Sequence, residues 1–414
     1  VPQKQALALM EQTLSSVERL EKWRGGHLYN WYDTATERPL EPRYVSSVDS
    51  GNLCGCLIAL REGLLEWGEE GLARRADALA AAMDFSLLFD ESRRLFYIGF
   101  DCGRGEYTQG WYDLLASEAR QTSYLAVARG EVPRRHWRRL SRALVGQDHY
   151  CGMASWTGTM FEYFMPHLLL PAEQNSLLYE SLAFCLYAQK KRVRGTGAPW
   201  GISESAFYAF DGAMNYQYKA HGVQRLGLKR GLDRELVVSP YSTFLTLPLA
   251  PESGVKNLRA LAAMGLEGRY GLCEAADFTP GRVNGAAKYE PVRSYMAHHL
   301  GMSLVALDNA LNDGIMQKRF MRDAAMGAYR ELLQEKVPVG AQVLHSPRDE
   351  VPDKPGRRGG EPFLRTGEGY DPVCPACHLM TGGAWQVLCT DAGASWSRMG
   401  RTTLTRCIWN RQYQ

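Results

Sequence analysis

The sequence predicts an all-α fold with a short β segment at its end, on the strength of three observations. Apolar residues recur at spacings of three and four through most of residues 1–336, as on one face of an amphipathic helix. The connections between these segments are rich in Gly, Pro and aromatic residues, and no strand pattern intervenes. Strand-like runs occur only after residue 373. We therefore expect a helical array with a site built on its loops.

The helices are predicted in chain order. The first covers residues 1–23, and its apolar face consists of Leu7, Met10, Leu14, Val17 and Leu20. Asn52 is placed as the N-cap of the second helix. Similar patterns predict further helices over 71–89, 111–130, 134–146, 157–170, 172–192, 205–220, 253–264, 293–312 and 317–336.

The pattern changes after about residue 337. Residues 337–373 are rich in Pro, Gly and charge, which predicts a linker or an exposed loop. In residues 374–414, the runs AWQVLCTDAG and TTLTRCIW are typical of β-strands with a turn between them. We expect residues 1–336 to form the main domain and 374–414 to begin a second module.

The composition argues against several classes of protein. The chain has 414 residues and a net charge of +3, and its basic residues are scattered, so we expect no nucleic-acid partner. No stretch approaches about 18 consecutive apolar residues, which predicts no membrane span. The start VPQKQALALMEQTL lacks the features of a signal peptide and is interpreted as the start of a helix. Neither GxGxxG after a strand nor GxxxxGK[ST] occurs, so we expect no nucleotide cofactor.

One cysteine cluster has a pattern that also occurs in metalloproteins. Cys374, Cys377 and His378 spell C-P-A-C-H, the pattern of covalent haem attachment, and Cys389 or Cys407 could complete a zinc site. The match stands alone beside a β segment, so we interpret these residues as ordinary strand residues. The pair His298-His299 lacks the i, i+4 spacing that metal binding on a helix needs. We therefore expect neither a metal nor a cofactor.

Carboxylates stand repeatedly among aromatic and small residues in the helical body. They are Asp49, Asp113, Glu118, Glu162, Glu204, Asp211, Glu274 and Asp277. Flat aromatic faces stack on sugar rings, polar side chains bond the hydroxyls, and a pair of carboxylates can supply acid/base and nucleophilic function. This mixture is typical of carbohydrate chemistry.

Each acid also has a plainer interpretation. Glu118 lies in a helical run, where a surface residue or an ion pair is the better explanation. Glu162 stands among aromatics, and substrate binding and a structural hydrogen-bond hub are equally good interpretations. For Glu204 and Glu274 catalysis is weighed evenly against a structural role, which for Glu204 is a carboxylate at a helix start. Of His298 and His299, at most one is expected to face a site.

Ten segments carry a resemblance to a known family. They are HLYNWYDT, PRYVSSVDSGNL, WYDLLASEAR, SWTGTMFEYFMP, PWGISESAF, NYQYKAHGV, GLKRGL, SPYSTFL, RYGLCEAADFTP and VRSYMAHHLGMSLVALDN. In order and spacing they resemble the glycoamylase-like domain of cyclic β-1,2-glucan synthases, over residues 1 to about 336. The C-terminal tail looks like the opening of the phosphorylase-type module that follows this domain in that family.

The resemblance implies an (α/α)₆ toroid that cyclises linear β-1,2-glucan. A β-linked donor that becomes a β-linked ring is retained in configuration, which implies double displacement through a glycosyl-enzyme. Glu204 and Glu274 match family motifs and are the expected pair, with Glu204 favoured as nucleophile. The reserves are Glu162, Asp211 and Asp49, with Glu290 ranked lower. A β-1,2-glucan hydrolase and a non-catalytic glucan-binding domain remain alternatives.

The segment from Tyr29 to Asn52 is expected to form one wall of the cleft. The full set of expected substrate-binding residues is Trp31, Tyr32, Asp49, Ser50, Asn52, Trp111, Trp156, Glu162, Trp200, Tyr208, Asp211, Tyr216, Gln217, Tyr241, Arg269, His298 and His299. Leu300 departs from the Gln usual in the family at that position, which bears on chain-length preference more than on substrate class.

The resemblance also implies the setting of the domain. In the family it is joined to a glycosyltransferase region with membrane spans and to a phosphorylase-type module. We therefore expect a location on the cytoplasmic side of the inner membrane as part of a larger membrane protein, with this fragment itself soluble.

Overall fold

The computed structural model describes residues 2–211, 215–283, 287–337, 340–344, 377–382, 384–390 and 394–405. The chain divides into two compact units, Val1–Pro347 and Arg348–Gln414. In the described ranges, the first unit carries all the helices and sixteen short strands, and the second carries four strands. No described helix is both long and apolar enough to cross a membrane.

Twelve α-helices occur in the described residues. They are α1 Gln3–Arg19, α2 Ser47–Glu66, α3 Glu70–Ala81, α4 Arg120–Ala128, α5 Arg135–Arg139, α6 Met160–Phe164, α7 Leu177–Arg192, α8 Pro240–Phe244, α9 Pro251–Leu261, α10 Ala297–Leu311, α11 Ile315–Arg322 and α12 Ala324–Ala328.

The strands of the first unit are short and lie between the helices. They are β1 Tyr44–Ser46, β2 Phe89–Asp90, β3 Leu95–Tyr97, β4 Gly99–Asp101, β5 Glu106–Tyr107, β6 Trp111–Tyr112, β7 Leu144–Gln147, β8 Tyr150–Met153, β9 Ser205–Phe210, β10 Tyr216–Lys219, β11 Val237–Val238, β12 Glu267–Gly268, β13 Gly271–Leu272, β14 Ala275–Asp277, β15 Glu290–Val292 and β16 Val343–Leu344. They form small two- and three-stranded sheets.

The prediction of a purely helical first domain is therefore wrong, although most predicted helices are present. Residues 205–220, predicted as a helix, form the antiparallel hairpin β9–β10, in which Lys219 pairs with Ser205. Tyr216 and Tyr218 stand two residues apart, a spacing that puts both side chains on one face of a strand, and aromatic residues favour strands. The apolar spacing in these short segments fits both periods, and the aromatic content decides for β.

Helix α2 begins earlier than predicted. Its N-cap is Ser46, whose Oγ accepts a hydrogen bond from the Asp49 backbone N–H at 3.1 Å. Asn52, predicted as the cap, instead lies inside the helix. The early start places Asp49 in the first helical turn, where the helix dipole favours a carboxylate.

Helices α2 and α4 approach closely at a glycine. A Cβ on Gly51 would lie 2.7 Å from Thr122 Cβ and 2.9 Å from Thr122 Cα. The Thr122 hydroxyl donates to the Ser47 carbonyl at 3.1 Å across the same contact. Only a residue without a side chain fits here, so this contact fixes the distance between the helix that carries Asp49 and the helix that follows Glu118.

The second unit contains one antiparallel sheet of four strands, β17 Cys377–Gly382, β18 Trp385–Thr390, β19 Ser395–Met399 and β20 Thr402–Thr403. The strand prediction for AWQVLCTDAG is confirmed by β18. Cys377 and His378 lie in β17, which confirms their interpretation as strand residues. Cys374, Cys407 and most of the predicted linker 337–373 lie outside the described residues.

We predict opposite effects for alanine at two helical glycines. Gly51→Ala should lower the free energy of unfolding by about 1–3 kcal/mol, because the new methyl group overpacks the α2–α4 contact. Gly71→Ala in the exposed part of α3 meets nothing within 4 Å and should raise it by about 0.5–1 kcal/mol through helix propensity. Denaturant unfolding of both variants measures the difference. Equal effects would contradict the close contact.

Candidate active site

A cavity of about 900 Å³ lies where several element ends converge. The loop before β1, the first half of α2, strand β10 and the N-terminal half of α10 contribute to its wall. The polar and aromatic residues that line it include Asn30, Trp31, Asp49, Asn52, Gln121, Tyr216, Tyr218 and His298. Its size and its mixture of aromatic and polar groups suit a small-molecule or sugar ligand.

Three interacting carboxyl groups have raised pKa values, and one of them, Asp49, lines this cavity. The pKa of Glu118 is raised to about 8, first by burial and then by the charges of Glu162 and Glu204. The pKa of Glu204 is raised to about 7 by burial and by the charges of Glu162 and Asp49. Burial also raises the pKa of Asp49. At neutral pH the site therefore holds both protonated and ionised acids.

Glu162 is a buried hub that holds the 155–159 loop. Its carboxylate accepts hydrogen bonds from the backbone N–H groups of Trp156, Thr157 and Thr159 at 2.9–3.1 Å. It also accepts from the hydroxyls of Ser155 and Thr159. With Thr159 it forms a capping box at the start of α6. These bonds occupy both of its oxygens, so of its two predicted roles the structure favours the hydrogen-bond hub.

Glu204 is connected to Glu274 through two intervening side chains. The Tyr218 hydroxyl hydrogen-bonds Glu204 and lies 3.2 Å from His299 Nε2. His299 Nδ1 lies 3.0 Å from Glu274 Oε2. The Glu274 Oε1 atom accepts from the Ala206 backbone N–H at 3.2 Å. The four side chains thus form one continuous hydrogen-bonded row.

Tyr241 fixes the orientation of the His299 ring. The two rings stack at 3.6 Å between centroids with an interplanar angle of 8°. The Tyr241 hydroxyl lies 2.8 Å from Ser203 Oγ, one residue before Glu204. Tyr241 and His299 are both almost fully buried. Tyr241 therefore holds the His299 ring in place and does not itself line the 900 Å³ cavity.

Five of the expected binding residues line the cavity: Trp31, Asp49, Asn52, Tyr216 and His298. The Trp31 ring is 51% exposed and Tyr216 is 55% exposed, so both offer open aromatic faces. Asn52 Oδ1 is buried and has no hydrogen-bond partner in the described part of the chain. A buried acceptor of this kind is costly unless a ligand or water donates to it.

Other expected binding residues have structural contacts elsewhere. The Tyr32 hydroxyl donates to the Glu21 carbonyl at 2.6 Å. Trp111 Nε1 donates to Asp90 at 2.9 Å, and the Trp200 backbone bonds Asn257. Ser50 is buried within α2. These positions stabilise the scaffold around the site.

Five further expected residues are not among those that line the cavity. Asp211 accepts hydrogen bonds from the backbone N–H and the side-chain amide of Asn215, and the Gln217 side-chain amide donates to nearby backbone carbonyls. The Tyr208 backbone donates to Asp277 at 3.0 Å. Arg269 lies over the exposed Tyr270 ring between β12 and β13. Trp156 is 58% exposed beside the Glu162 hub. Glu290, the lower-ranked candidate, lies in β15.

Sequence reasoning missed two residues of this site. Glu118 was interpreted as a surface or ion-paired residue, yet it interacts electrostatically with Glu204 and Glu162. Tyr218 was overlooked because its segment was predicted as a helix. In a helix Tyr216 and Tyr218 would point about 200° apart, whereas in β10 both face the cavity. The alternation of Tyr216, Tyr218 and polar neighbours was the available signal.

Among the described residues, no group of three or more His, Cys, Asp or Glu side chains could hold a metal ion.

Comparison with known proteins identifies the family of the chain. The chain belongs to the Glycoamylase family, whose model, described as "Putative glucoamylase", matches residues 110–324. It is 32% identical to the cyclic beta-(1,2)-glucan synthase NdvB of Rhizobium meliloti (strain 1021) over an alignment that is 534 positions long, gaps included. That alignment covers 97% of this chain, and the chain spans only 19% of the length of this curated relative.

Solved structures share the fold. The endo-beta-1,2-glucanase from Chitinophaga pinensis superposes with a TM-score of 0.63 at 17% identity, covering 81% of this chain and 82% of that one. A Bacteroides caccae protein described in the same words as the family gives a TM-score of 0.63 at 19% identity, with 81% and 83% covered. At these identities the likeness concerns the fold alone.

We predict that Glu118→Gln stabilises the protein more as pH rises. Because the folded pKa of about 8 exceeds the unfolded value near about 4.3, the stability that Glu118 contributes is complete below the unfolded value. It is lost as pH rises through about 8. The neutral amide escapes this loss, so the variant should gain at least about 1 kcal/mol relative to wild type between pH 5 and pH 9.

The matched control for this experiment is Glu70→Gln. Glu70 lies exposed in the first turn of α3, so its substitution should change the free energy of unfolding equally at both pH values. Denaturant unfolding at pH 5 and pH 9 provides both numbers. A Glu118→Gln effect that is as independent of pH as the control would contradict the raised pKa.

Proposed function

We propose that this chain acts on the glycosidic bonds of β-1,2-glucan, as a retaining transglycosylase that cyclises the linear polymer. The observation that carries the proposal is a group of interacting acids around an aromatic cavity that Asp49 lines. Two acids of this group, Glu204 and Glu118, have pKa values of about 7 and about 8. The names of the relatives supply the substrate class. Hydrolysis of the same polymer is the alternative, since water and a sugar hydroxyl compete for one intermediate.

The cavity wall supports a sugar ligand. Trp31 and Tyr216 present open aromatic faces of the kind that stack on pyranose rings. Asp49 and the buried Asn52 Oδ1 supply acceptors for sugar hydroxyls. The Asn52 acceptor in particular would gain a donor from a hydroxyl of the bound chain, which offsets the cost of its burial.

The retaining mechanism needs an ionised nucleophile and a protonated acid. We assign Glu204 as nucleophile, because its pKa is the lower of the two and the Tyr218 hydroxyl stabilises its anion. We assign Glu118 as the acid, because its pKa of about 8 keeps it protonated at neutral pH. Glu118 protonates the leaving oxygen while Glu204 attacks the anomeric carbon. Glu118, now ionised, then deprotonates the hydroxyl that displaces Glu204.

Glu274, predicted from sequence as the partner of Glu204, takes a different role in this proposal. Glu274 is 5% exposed. Its carboxylate oxygens form hydrogen bonds with the His299 ring and with the Ala206 backbone N–H. An acid engaged in this way is poorly placed to reach the glycosidic oxygen. We therefore assign it to the positioning of His299.

The finer architecture and the setting are part of the same proposal. The fold shared with the solved neighbours supports an (α/α)₆ toroid for the helices of the first unit. Because the chain spans only 19% of its curated relative, we propose that it works beside a membrane-bound glycosyltransferase region and a phosphorylase-type module. That setting would place it on the cytoplasmic side of the inner membrane.

The products of the reaction test the proposed function. Incubation of this chain with linear β-1,2-glucan should give rings, each one water lighter than the linear chain of equal length. Mass spectrometry of the products measures this. Shorter linear chains alone would replace cyclisation by hydrolysis, and unchanged glucan would contradict the proposed function.

Substitution of the two assigned acids tests their roles. Glu204→Gln and Glu118→Gln should each lower kcat by about 10²–10⁴-fold, because an amide is neither a nucleophile nor a proton donor of the required strength. Glu70→Gln, an exposed acid on α3, is the control and should retain wild-type turnover. Near-normal turnover in either site variant would remove that residue from the mechanism.

The pH dependence of kcat/KM tests the same assignment. Because Glu118 must be protonated and its pKa is about 8, kcat/KM should fall as pH rises through about 8. On the acid side, kcat/KM should fall as Glu204 becomes protonated. Initial rates between pH 5 and pH 10 give the profile. A rate that keeps rising above pH 9 would contradict the assignment of Glu118 as the acid.

A further inference from the structure

We propose that Tyr218, His299 and Glu274 form a proton relay that keeps Glu204 ionised while it acts as nucleophile. The inference rests on the proposed role of Glu204 and adds three positioning residues to it. Its basis is the continuous row of contacts from Glu204 to Glu274 described above. None of the three has to touch the reacting carbon for the relay to work.

The contacts of His299 define its protons. Glu274, held as an acceptor by the Ala206 N–H, takes a hydrogen bond from His299 Nδ1 at 3.0 Å. In the neutral imidazole only one nitrogen carries hydrogen, so Nε2 is then an acceptor. The group within reach of Nε2 is the Tyr218 hydroxyl, at 3.2 Å. Tyr218 therefore donates to His299 in this state.

This arrangement leaves the Tyr218 oxygen free to accept from Glu204. When Tyr218 donates to His299, a hydrogen bond between Glu204 and Tyr218 requires Glu204 to be the donor, which means a protonated carboxyl group. When Glu204 is ionised, Tyr218 donates to it instead, and the Tyr218 oxygen accepts from a protonated His299 Nε2. The same geometry satisfies both states.

The relay step moves two protons and conserves both. The Glu204 proton passes to the Tyr218 oxygen as the Tyr218 proton passes to His299 Nε2. Tyr218 is neutral before and after, Glu204 becomes a carboxylate, and His299 becomes an imidazolium. Covalent bonding of Glu204 to the sugar removes its charge, and release of the sugar restores the carboxylate, which can take the proton back.

The surroundings of His299 stabilise the imidazolium. The Glu274 carboxylate is its ion-pair partner at 3.0 Å, and the Tyr241 ring stacks on it at 3.6 Å, an arrangement that favours a cation. The titratable side chain of His298 on α10 also faces it, at 4.1 Å between rings, and opposes a second positive charge. One proton on this histidine pair is therefore favoured over two.

A purely structural role explains the row poorly. A buried His–carboxylate pair is costly to desolvate, and apolar residues of similar size often give equal or greater stability. Here the pair is almost fully buried and connects through Tyr218 to the cavity that Asp49 lines. A role in keeping Glu204 ionised explains why the chain has a pair with this desolvation cost.

Kinetics of Tyr218→Phe test the relay. Without the hydroxyl, Glu204 can no longer pass its proton to Tyr218, and its carboxylate loses the hydrogen bond from Tyr218. The acid limb of the kcat/KM profile should therefore move to higher pH. We expect a loss of about 10²-fold at pH 5.5 that narrows to about tenfold at pH 8. Glu274→Gln should move the limb in the same direction, because the amide cannot stabilise the imidazolium.

The matched control is Tyr216→Phe, which removes a hydroxyl from the same face of β10 and from the same cavity. Its rate can change through substrate binding, but its pH profile should keep the wild-type shape. A loss in Tyr218→Phe that is equal at all pH values would overturn the relay, as would a control with the same shifted limb.

A second measurement does not depend on activity. ¹⁵N NMR of labelled His299 follows its protonation in wild type and in Glu204→Gln. The relay predicts a weaker imidazolium signal of His299 in the variant than in wild type at the same pH, because the amide removes the negative charge that favours the imidazolium. Identical His299 spectra in the two proteins would overturn the relay. Inactivity of the wild type on β-1,2-glucan would overturn the proposed function and leave the NMR result to decide the relay.

Discussion

The arrangement of the site depends on the buried carboxylate of Glu162. It fixes the 155–159 loop through hydrogen bonds to three backbone N–H groups and two hydroxyls. Burial raises the pKa values of Glu118 and Glu204, and the negative charge of Glu162 raises them further. One residue thus fixes a loop and contributes to the raised pKa values of two neighbouring acids. Its donors make its own charge tolerable in a buried setting.

Burial, reinforced by the repulsion between neighbouring negative charges, raises the pKa values of the acids at the site. Glu118, Glu204 and Asp49 cannot all ionise together without strong repulsion, so protons are retained at neutral pH. Their surroundings separate them, since Glu204 has the Tyr218 hydroxyl to stabilise its anion. The row to Glu274 extends that stabilisation into the protein interior. Aromatic residues at the cavity wall complete a surface on which a sugar chain can lie.

Much of this arrangement could be predicted from sequence. Helical periodicity located α1, α7 and α10, and the clustering of acids among aromatics identified Glu204 and the cavity residue Asp49. The hairpin β9–β10 was missed because a 16-residue segment with mixed apolar spacing fits both periods. Tyr218 was missed for the same reason, because its importance depends on which face of the strand its side chain occupies. Contacts between distant segments, such as Glu274 with His299, require the tertiary structure.

The roles of the acids follow from burial, which a single sequence does not display. Glu118 in WYDLLASEAR has the neighbours of an ordinary helical acid, and only the fold places it beside Glu162 and Glu204. Glu274 stands in an equally suggestive motif, yet the fold encloses it. Local sequence thus located the candidate acids, and the close contacts are the basis of the roles proposed for them.

The central claim is double displacement at Glu204 on a β-1,2-linked chain. The most direct measurement is ¹H NMR of the anomeric signals during the first minutes of reaction with linear β-1,2-glucan. The account predicts that every new linkage, and every reducing end released to water, appears first in the β configuration. Reducing ends that appear first as the α anomer would mean inversion, and would contradict a glycosyl-enzyme on Glu204.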